Sequence, residues 1–564
     1  MSTSASFRSP LFELSSDYID ALAQTSPLFA IAEGLGSPSE LADFSPAASA
    51  VHVALLTAFL GRLNSDAYEP QDEIDRIART VMRERWGSSL QLATTGESDR
   101  IFSVLWSPVS EIRQVFDLIP SETAEQRGRI AHWLSEVPTA LATWEETLQS
   151  LASRHELPSP RHVAGVANQA LVYSQGTFDF LVNEIEKVHG EQRELRAATQ
   201  VAHRAFGDFG RRMESTFVPQ TSTSDFVGEE RYLLWASHYT GMQLDLAELY
   251  QWGWEDLTSI HRRMREIAQQ FAPSAETLQD AVSLLDRDER YLVHGEESLV
   301  RSLEEIVATA MNELDGRYFD IDPRIRRCDV RLAPPGSASA AYYIGPSEDL
   351  SRPGSTWFPT MGLTSFPLWR SISTWYHEAV PGHHLESASS LINADRLSRF
   401  HRMNGWISGY GEGWALYAER LMFELGYLSD YGAEMGYLVN QALRAARVVV
   451  DIGLHLQLRA PIDLGHLGAL GDRSGAVWTP EMAVCLLEER ACLTKIEASS
   501  EVDRYLGNPG QAISYKVGER EWIRSRSAAQ RRHGEQFDFK SFHKFALNLG
   551  PMGLDAFAVE MAKF

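Results

Sequence analysis

Apolar residues recur at spacings of three and four through most of the chain, and this periodicity constrains the fold more than any other feature. It runs through residues 249–271, 297–319 and 436–458. Such spacing lays one apolar stripe along a helix, so the chain is expected to be mainly α. Breaks at 153–165, 217–226 and 333–340 are short and flanked by amphipathic helix, so none reads as a disordered linker. Residues 328–363 differ. They are rich in Gly, Pro, Ser and aromatics and read as short strands and loops.

The stretch WYHEAVPGHHLE, residues 375–386, follows directly. It opens like a metal-binding helix with His377-Glu378, yet its next histidines are His383 and His384. Two imidazoles share one metal from a straight helix when they lie four residues apart. A spacing of six rotates them about 120° apart, and a spacing of seven separates them by about 10 Å of rise. Pro381 removes a backbone donor and clashes with the carbonyl four residues back, that of His377. Gly382 then accepts backbone geometries that other residues avoid. A two-residue bulge at Pro-Gly restores H-E-x-x-H with His377 and His383, and His384 stays open as the alternative. The dipeptide alone carries no information, since His155-Glu156 also occurs.

Charge and cysteine content exclude several classes. The formal net charge is −24, a poor basis for nucleic-acid binding, which needs clustered Lys and Arg. The three cysteines are Cys328, Cys485 and Cys492. They form no CxxC pair, and Cys485 and Cys492 stand about two helical turns apart, too far for a disulfide. The first residues show no basic region followed by an apolar stretch, so no signal peptide is expected. No run of about 18 apolar residues is seen, so no membrane partner is expected. A cytoplasmic location fits these features, and the oligomeric state is open.

The residues HEAVPGHHLE, GEGWALYAERL (411–421), SRPG (351–354), RAARVVVDIGLH (444–455) and GQAISYKVGEREW (510–522) together resemble a bacterial domain-of-unknown-function family with an HExxPGHxxQ signature. That family is similar to gluzincin metallopeptidases, with a fold like Taq-type metallocarboxypeptidases and angiotensin-converting enzyme. The resemblance covers about the last 220 residues. It implies a two-lobed helical fold with a deep central cleft and a small β-sheet beside the zinc helix. The expected division is an N-terminal helical lobe, 1–327, and a metal-site lobe, 328–564, within one compact folding unit. The resemblance also implies Zn²⁺ on His377, His383 and Glu412, with Glu378 as general base. Glu412 lies 29 residues after His383, and its alternative role is a first-turn residue favoured by the helix dipole. Glu419, seven residues on, suits a solvated or supporting role better than ligation. Glu386 stands where the family has Gln, which adds negative charge near the metal.

Other residues carry two readings each. Arg447, Asp451 and His455 form one helical stripe, either an ion-pair ladder or, through Arg447 and His455, a substrate-orienting face. Similar peptidases place a late Tyr near the scissile carbonyl, which makes Tyr515 the candidate oxyanion donor. Core packing is its alternative. Tyr343, Arg352 and Gly354 are candidates to line an extended substrate held at a strand edge, unless 328–363 is a plain surface hairpin. His543 is expected to be structural. A carboxypeptidase needs a cation for the terminal carboxylate, and Arg352, Arg370, Arg447 and Lys516 qualify. The expected function is zinc-dependent hydrolysis of peptide bonds in short peptides. The alternatives are a zinc amidohydrolase acting on a non-peptide amide, or a binding protein with a relict site.

Overall fold

The structure, a computed structural model, describes residues 8–222, 224–333, 340–461 and 473–564. It is mainly helical with two small sheets. Residues 334–339, within the expected break at 333–340, lie outside the described residues, as do residues 1–7.

Two compact units emerge. The first comprises residues 1–71 and 86–225, the second residues 72–85 and 226–564. The expected division at 327/328 therefore does not coincide with them. The reason is packing: the helix Leu246–Phe271 lies along the helix Tyr431–His455, so residues 226–327 share a core with the metal-site half.

The first unit is helical and packs its long helix Ala124–Ser153 against Arg193–Arg212. Trp144 stacks on Phe209 with ring centres 5.4 Å apart. Its helix Pro46–Leu63 is long and apolar enough to cross a membrane by length and composition, and 17% of that window is buried. This corrects the expectation that no such stretch exists. Arg62 and scattered small polar residues interrupt the apolar letters, but Ala, Val and Leu carry the mean hydropathy to 1.3.

The second unit is built around Tyr431–His455, which is buried along nearly its whole length. Asp430 caps its start by accepting from the backbone N–H groups of Gly432 and Ala433, which satisfies donors that a helix leaves free. The expected helix at 297–319 ends earlier, at Leu314, where Asp315 pairs with Phe319. Strands β1 (Leu292–His294) and β5 (Ser365–Pro367) make a two-stranded antiparallel sheet. Strands β2 (Cys328–Leu332), β3 (Tyr342–Ile344) and β4 (Gly354–Phe358) form the other, in order β2-β4-β3. β3 is thus an edge strand, and β4 packs beside the helix that begins at His383. The region read as strands and loops is a small sheet next to the histidine motif, as expected.

Candidate metal centre

The His-Glu helix runs Leu368–Glu378 and stops. A second helix, His383–Ile392, starts after four intervening residues. The bulge expected at Pro-Gly is therefore a full break. The N–H of Gly382 turns back to the carbonyl of Tyr376 at 3.0 Å, and that of His384 to Ala379 at 3.1 Å. A Cβ at position 382 would overlap the carbonyl of His377, so only glycine lets the chain cross there. The indole Nε1 of Trp414 donates to the carbonyls of Pro381 and Gly382 at 2.9 and 3.1 Å. Trp414 sits on the helix Ser408–Glu424 that also carries Glu412 and Glu419. One helix thereby clamps the break and supplies two carboxylates.

The break turns the two imidazoles toward each other. The rings of His377 and His383 lie 4.8 Å apart and nearly perpendicular. Nε2 of His377 is 3.2 Å from Glu412 Oε2, and Nε2 of His383 is 3.5 Å from the same oxygen. Ligand atoms about 2.0–2.1 Å from a tetrahedral ion are about 3.3–3.4 Å apart, so these separations match the edges of such a site. The three residues form a group that can hold a metal ion.

His384 has no nitrogen to spare. Its Nε2 lies 2.8 Å from the carbonyl of Ile325, to which it donates, and its Nδ1 lies 3.1 Å from the hydroxyl of Tyr343. The alternative ligand is thus committed to holding β3 and the 325 loop. Gly354 lies under this contact, where a Cβ would run into the Tyr343 hydroxyl and His384 Nδ1.

Supporting groups orient the ligands. Nδ1 of His377 lies 2.9 Å from Glu419 Oε1, and Ser373 donates to the other oxygen of that fully buried carboxylate. This fixes the tautomer that points Nε2 at the metal position. Glu419 thus braces His377 and stands outside the group that can hold an ion. Glu386 is also fully buried, and burial pushes its carboxyl up to about 7 against the pull of His383.

Electrostatics show what the site lacks. Burial alone would lower the His377 pKa, but hydrogen bonds to Glu412 and Glu419 raise it to about 10. Burial would raise Glu412, yet its bonds to His377 and His383 hold it well below the usual carboxylate range. Glu378 is 8% exposed, and burial raises its pKa against the pull of His377 and His383. Three carboxylates, the buried Glu378 and Glu419 and the partly exposed Glu412, face two imidazoles. The site needs added positive charge, which a proton or a divalent ion can supply.

Residues 27–561 match the family described as "Bacterial protein of unknown function (DUF885)". The chain belongs to DUF885. In fold, this DUF885 protein is similar to a candidate lipoprotein of Colwellia psychrerythraea, with a TM-score of 0.84 at 22% identity over 98% of both chains. It is also similar to a candidate lipoprotein of unknown function from Shewanella oneidensis, with a TM-score of 0.69 at 19% identity over 98% of this chain and 100% of that one. No curated protein matches it.

The remaining candidates in this DUF885 protein separate into near and far. Tyr515 stacks beside His377 with ring centres 6.3 Å apart, and its hydroxyl accepts from Arg504 at 3.2 Å. Arg447 lies over the Tyr515 ring at 4.7 Å, but its charge is engaged by Glu501 at 2.8 Å. Tyr343 stacks near His383 at 6.5 Å. Arg352 donates to the carbonyl of Gly345 at 2.9 Å and braces the turn before β4. Lys516 and His455 serve elsewhere. Lys516 bonds Gln441 at 2.6 Å and Glu519 at 2.7 Å, with Asp256 at 2.9 Å. An ammonium that is 1% exposed and ringed by these three groups is closed to a substrate, which corrects its reading as a substrate cation. His455 lies 3.0 Å from the carbonyl of Tyr505 and packs on Tyr232 in the core. Asp451 accepts from Tyr232 and the N–H of Gly510 and lies 3.6 Å from His455, so the Arg447–Asp451–His455 stripe ties neighbouring helices together, the structural one of its two readings. His543 is structural as expected, held between Tyr417 and the carbonyl of Tyr318.

Arg444 was not singled out by sequence. It is 8% exposed, on the helix face turned to the His-Glu helix, and it pulls on the Glu378 carboxylate. Its position one turn before Arg447 was readable, but nothing in the letters says which arginine lacks a carboxylate.

Proposed function

We propose that this protein is a zinc-dependent hydrolase of peptide bonds in short peptides. The observation that carries the reading is the convergence of His377, His383 and Glu412 beside a buried, unligated Glu378. Two imidazoles and one carboxylate suit zinc and leave a fourth position open. A bound zinc would polarise the scissile carbonyl and lower the pKa of water toward about 7.

The chain's own residues do the rest. Glu378 follows a ligand in sequence, so its carboxylate borders the metal position without occupying it. There it accepts a proton from the attacking water and passes it to the leaving nitrogen. The Tyr515 hydroxyl donates toward the oxygen on which negative charge develops, with Arg504 and Arg447 holding its ring in place. The edge strand β3 offers main-chain groups to an extended peptide.

The test is metal analysis of the purified protein, followed by turnover of a broad library of short peptides. One zinc per chain with peptide hydrolysis supports the reading. A zinc-loaded protein that hydrolyses non-peptide amides alone, or nothing, overturns it in favour of an amidohydrolase or a binding protein.

A further inference from the structure

We propose that Arg444 binds the free C-terminal carboxylate of the substrate, so that the enzyme is a carboxypeptidase releasing one residue at a time. The inference rests on the hydrolase reading above.

Helix register places Arg444. The His-Glu helix and the helix Tyr431–His455 run alongside each other in parallel. Gly436 abuts Trp369 and Arg370. One turn on, Asn440 Nδ2 donates to Thr374 Oγ1 at 3.0 Å. The next turn of each helix brings Arg444 level with Glu378. A further turn brings Arg447 over the Tyr515 ring, which stacks beside His377. Arg444 thus lies between two contacts that both lead to the metal group.

Its bonding is incomplete. Among the described residues its single hydrogen bond is from Nη1 to the carbonyl of Asn440, at 3.4 Å, and its Nε has no partner. No carboxylate pairs with it among those residues. Burying an unpaired guanidinium is costly, and Arg is suited to bidentate carboxylate binding. The other cations considered are paired, bonded elsewhere or set farther back. Arg447 pairs with Glu501, and Lys516 with Glu519 and Asp256. Arg352 bonds Gly345. Arg370 bonds the carbonyl of Cys492 and also has an Nε without a partner, but it lies two turns back along its helix from Glu378.

Reach sets the specificity. One residue spans about 3.3–3.6 Å of extended chain. A cation level with the general base is therefore placed for the carboxylate of the residue directly after the scissile bond. In the reaction the peptide C–N bond breaks. Water adds its oxygen to the carbonyl carbon and its proton to the departing amine, freeing a single amino acid.

The test compares a zinc-loaded short peptide assay on a free-acid substrate and on its C-terminal amide. The parent should release the last residue and favour the free acid by about 10- to 100-fold in kcat/KM, the loss expected when charged hydrogen bonds are removed. In Arg444→Ala that ratio should fall toward one, and Arg444→Lys should keep part of it. Binding of the same peptide pair to Glu378→Gln protein, with and without Arg444→Ala, supplies a readout independent of turnover. There too the preference for the acid should vanish with Arg444. A parent that cleaves acid and amide equally, or an Arg444→Ala protein that keeps the full preference, overturns the assignment while leaving the hydrolase intact. A zinc-loaded parent that cleaves neither peptide overturns the hydrolase reading and this one with it. Should Arg444→Ala not fold, Arg444→Lys and the parent's acid-to-amide ratio decide.

Discussion

Two buried polar clusters lie within the same unit and behave as opposites. Around Lys516, the charges close on themselves: Lys516 and Arg420 face Glu519 and Asp256, with Gln441 taking a further donor. Two cations meet two anions. Around His377, three carboxylates face two imidazoles, and Arg444, whose charge acts on Glu378, pairs with no carboxylate among the described residues. A closed network holds helices together. An open one has a place for something absent from the chain. Burial alone would not have separated them, because each cluster mixes fully buried groups, Glu419 and Lys516 among them, with partly exposed ones such as Glu412 and Asp256. The balance of charge does.

This contrast can be broken by substitution. The largest effect is expected at Glu378. Glu378→Gln should keep bound zinc and fold normally, yet lower peptide turnover by about 10²–10⁴-fold. Metal content measured beside turnover checks this, and unchanged turnover would remove Glu378 as base.

Lys516→Ala attacks the closed cluster instead. It leaves the buried Glu519 and the partly exposed Asp256 short of a partner, so stability should fall by about 3–5 kcal/mol. Denaturant unfolding measures the loss, and zinc content should not change. If zinc is lost while stability holds, the two clusters have been assigned the wrong way round.

His383 and His384 sharpen the comparison at neighbouring positions. His383→Ala should lose zinc with little change in the stability of the metal-free protein. His384→Ala should keep zinc but lose about 1–3 kcal/mol, because the Ile325 carbonyl and Tyr343 are left unpaired. Equal metal loss in both would contradict the ligand set.

The smallest effect is in pH. In metal-free protein the His377 pKa is raised to about 10. A raised histidine stabilises the fold fully below its unfolded pKa of about 6.5, and that contribution is lost as pH rises through about 10. Zinc must displace this proton. Apparent zinc affinity should therefore rise about tenfold per pH unit between roughly pH 7 and 9, with about one proton released per metal bound. Calorimetry in buffers of different ionisation enthalpy counts that proton, and a pH-independent affinity would show that His377 is not protonated in the metal-free site.

Local chemistry was legible in the letters. Periodicity of three and four marked the long helices, because one buried stripe suffices to dock a helix. Pro381-Gly382 announced the break, because a missing donor and a missing Cβ act on the backbone wherever the chain goes. The letters also put His377, Glu378, His383 and Glu412 together as candidates. They could not choose between His383 and His384, which differ only in what surrounds them. That choice came from Ile325 and Tyr343, residues 59 and 41 positions away. Nor could they separate Arg444 from Arg447 or Lys516, since identical charges read alike until their partners are known. Backbone propensity is written locally along the chain, whereas the pairing of a buried charge depends on distant segments that only the folded chain brings within hydrogen-bond reach.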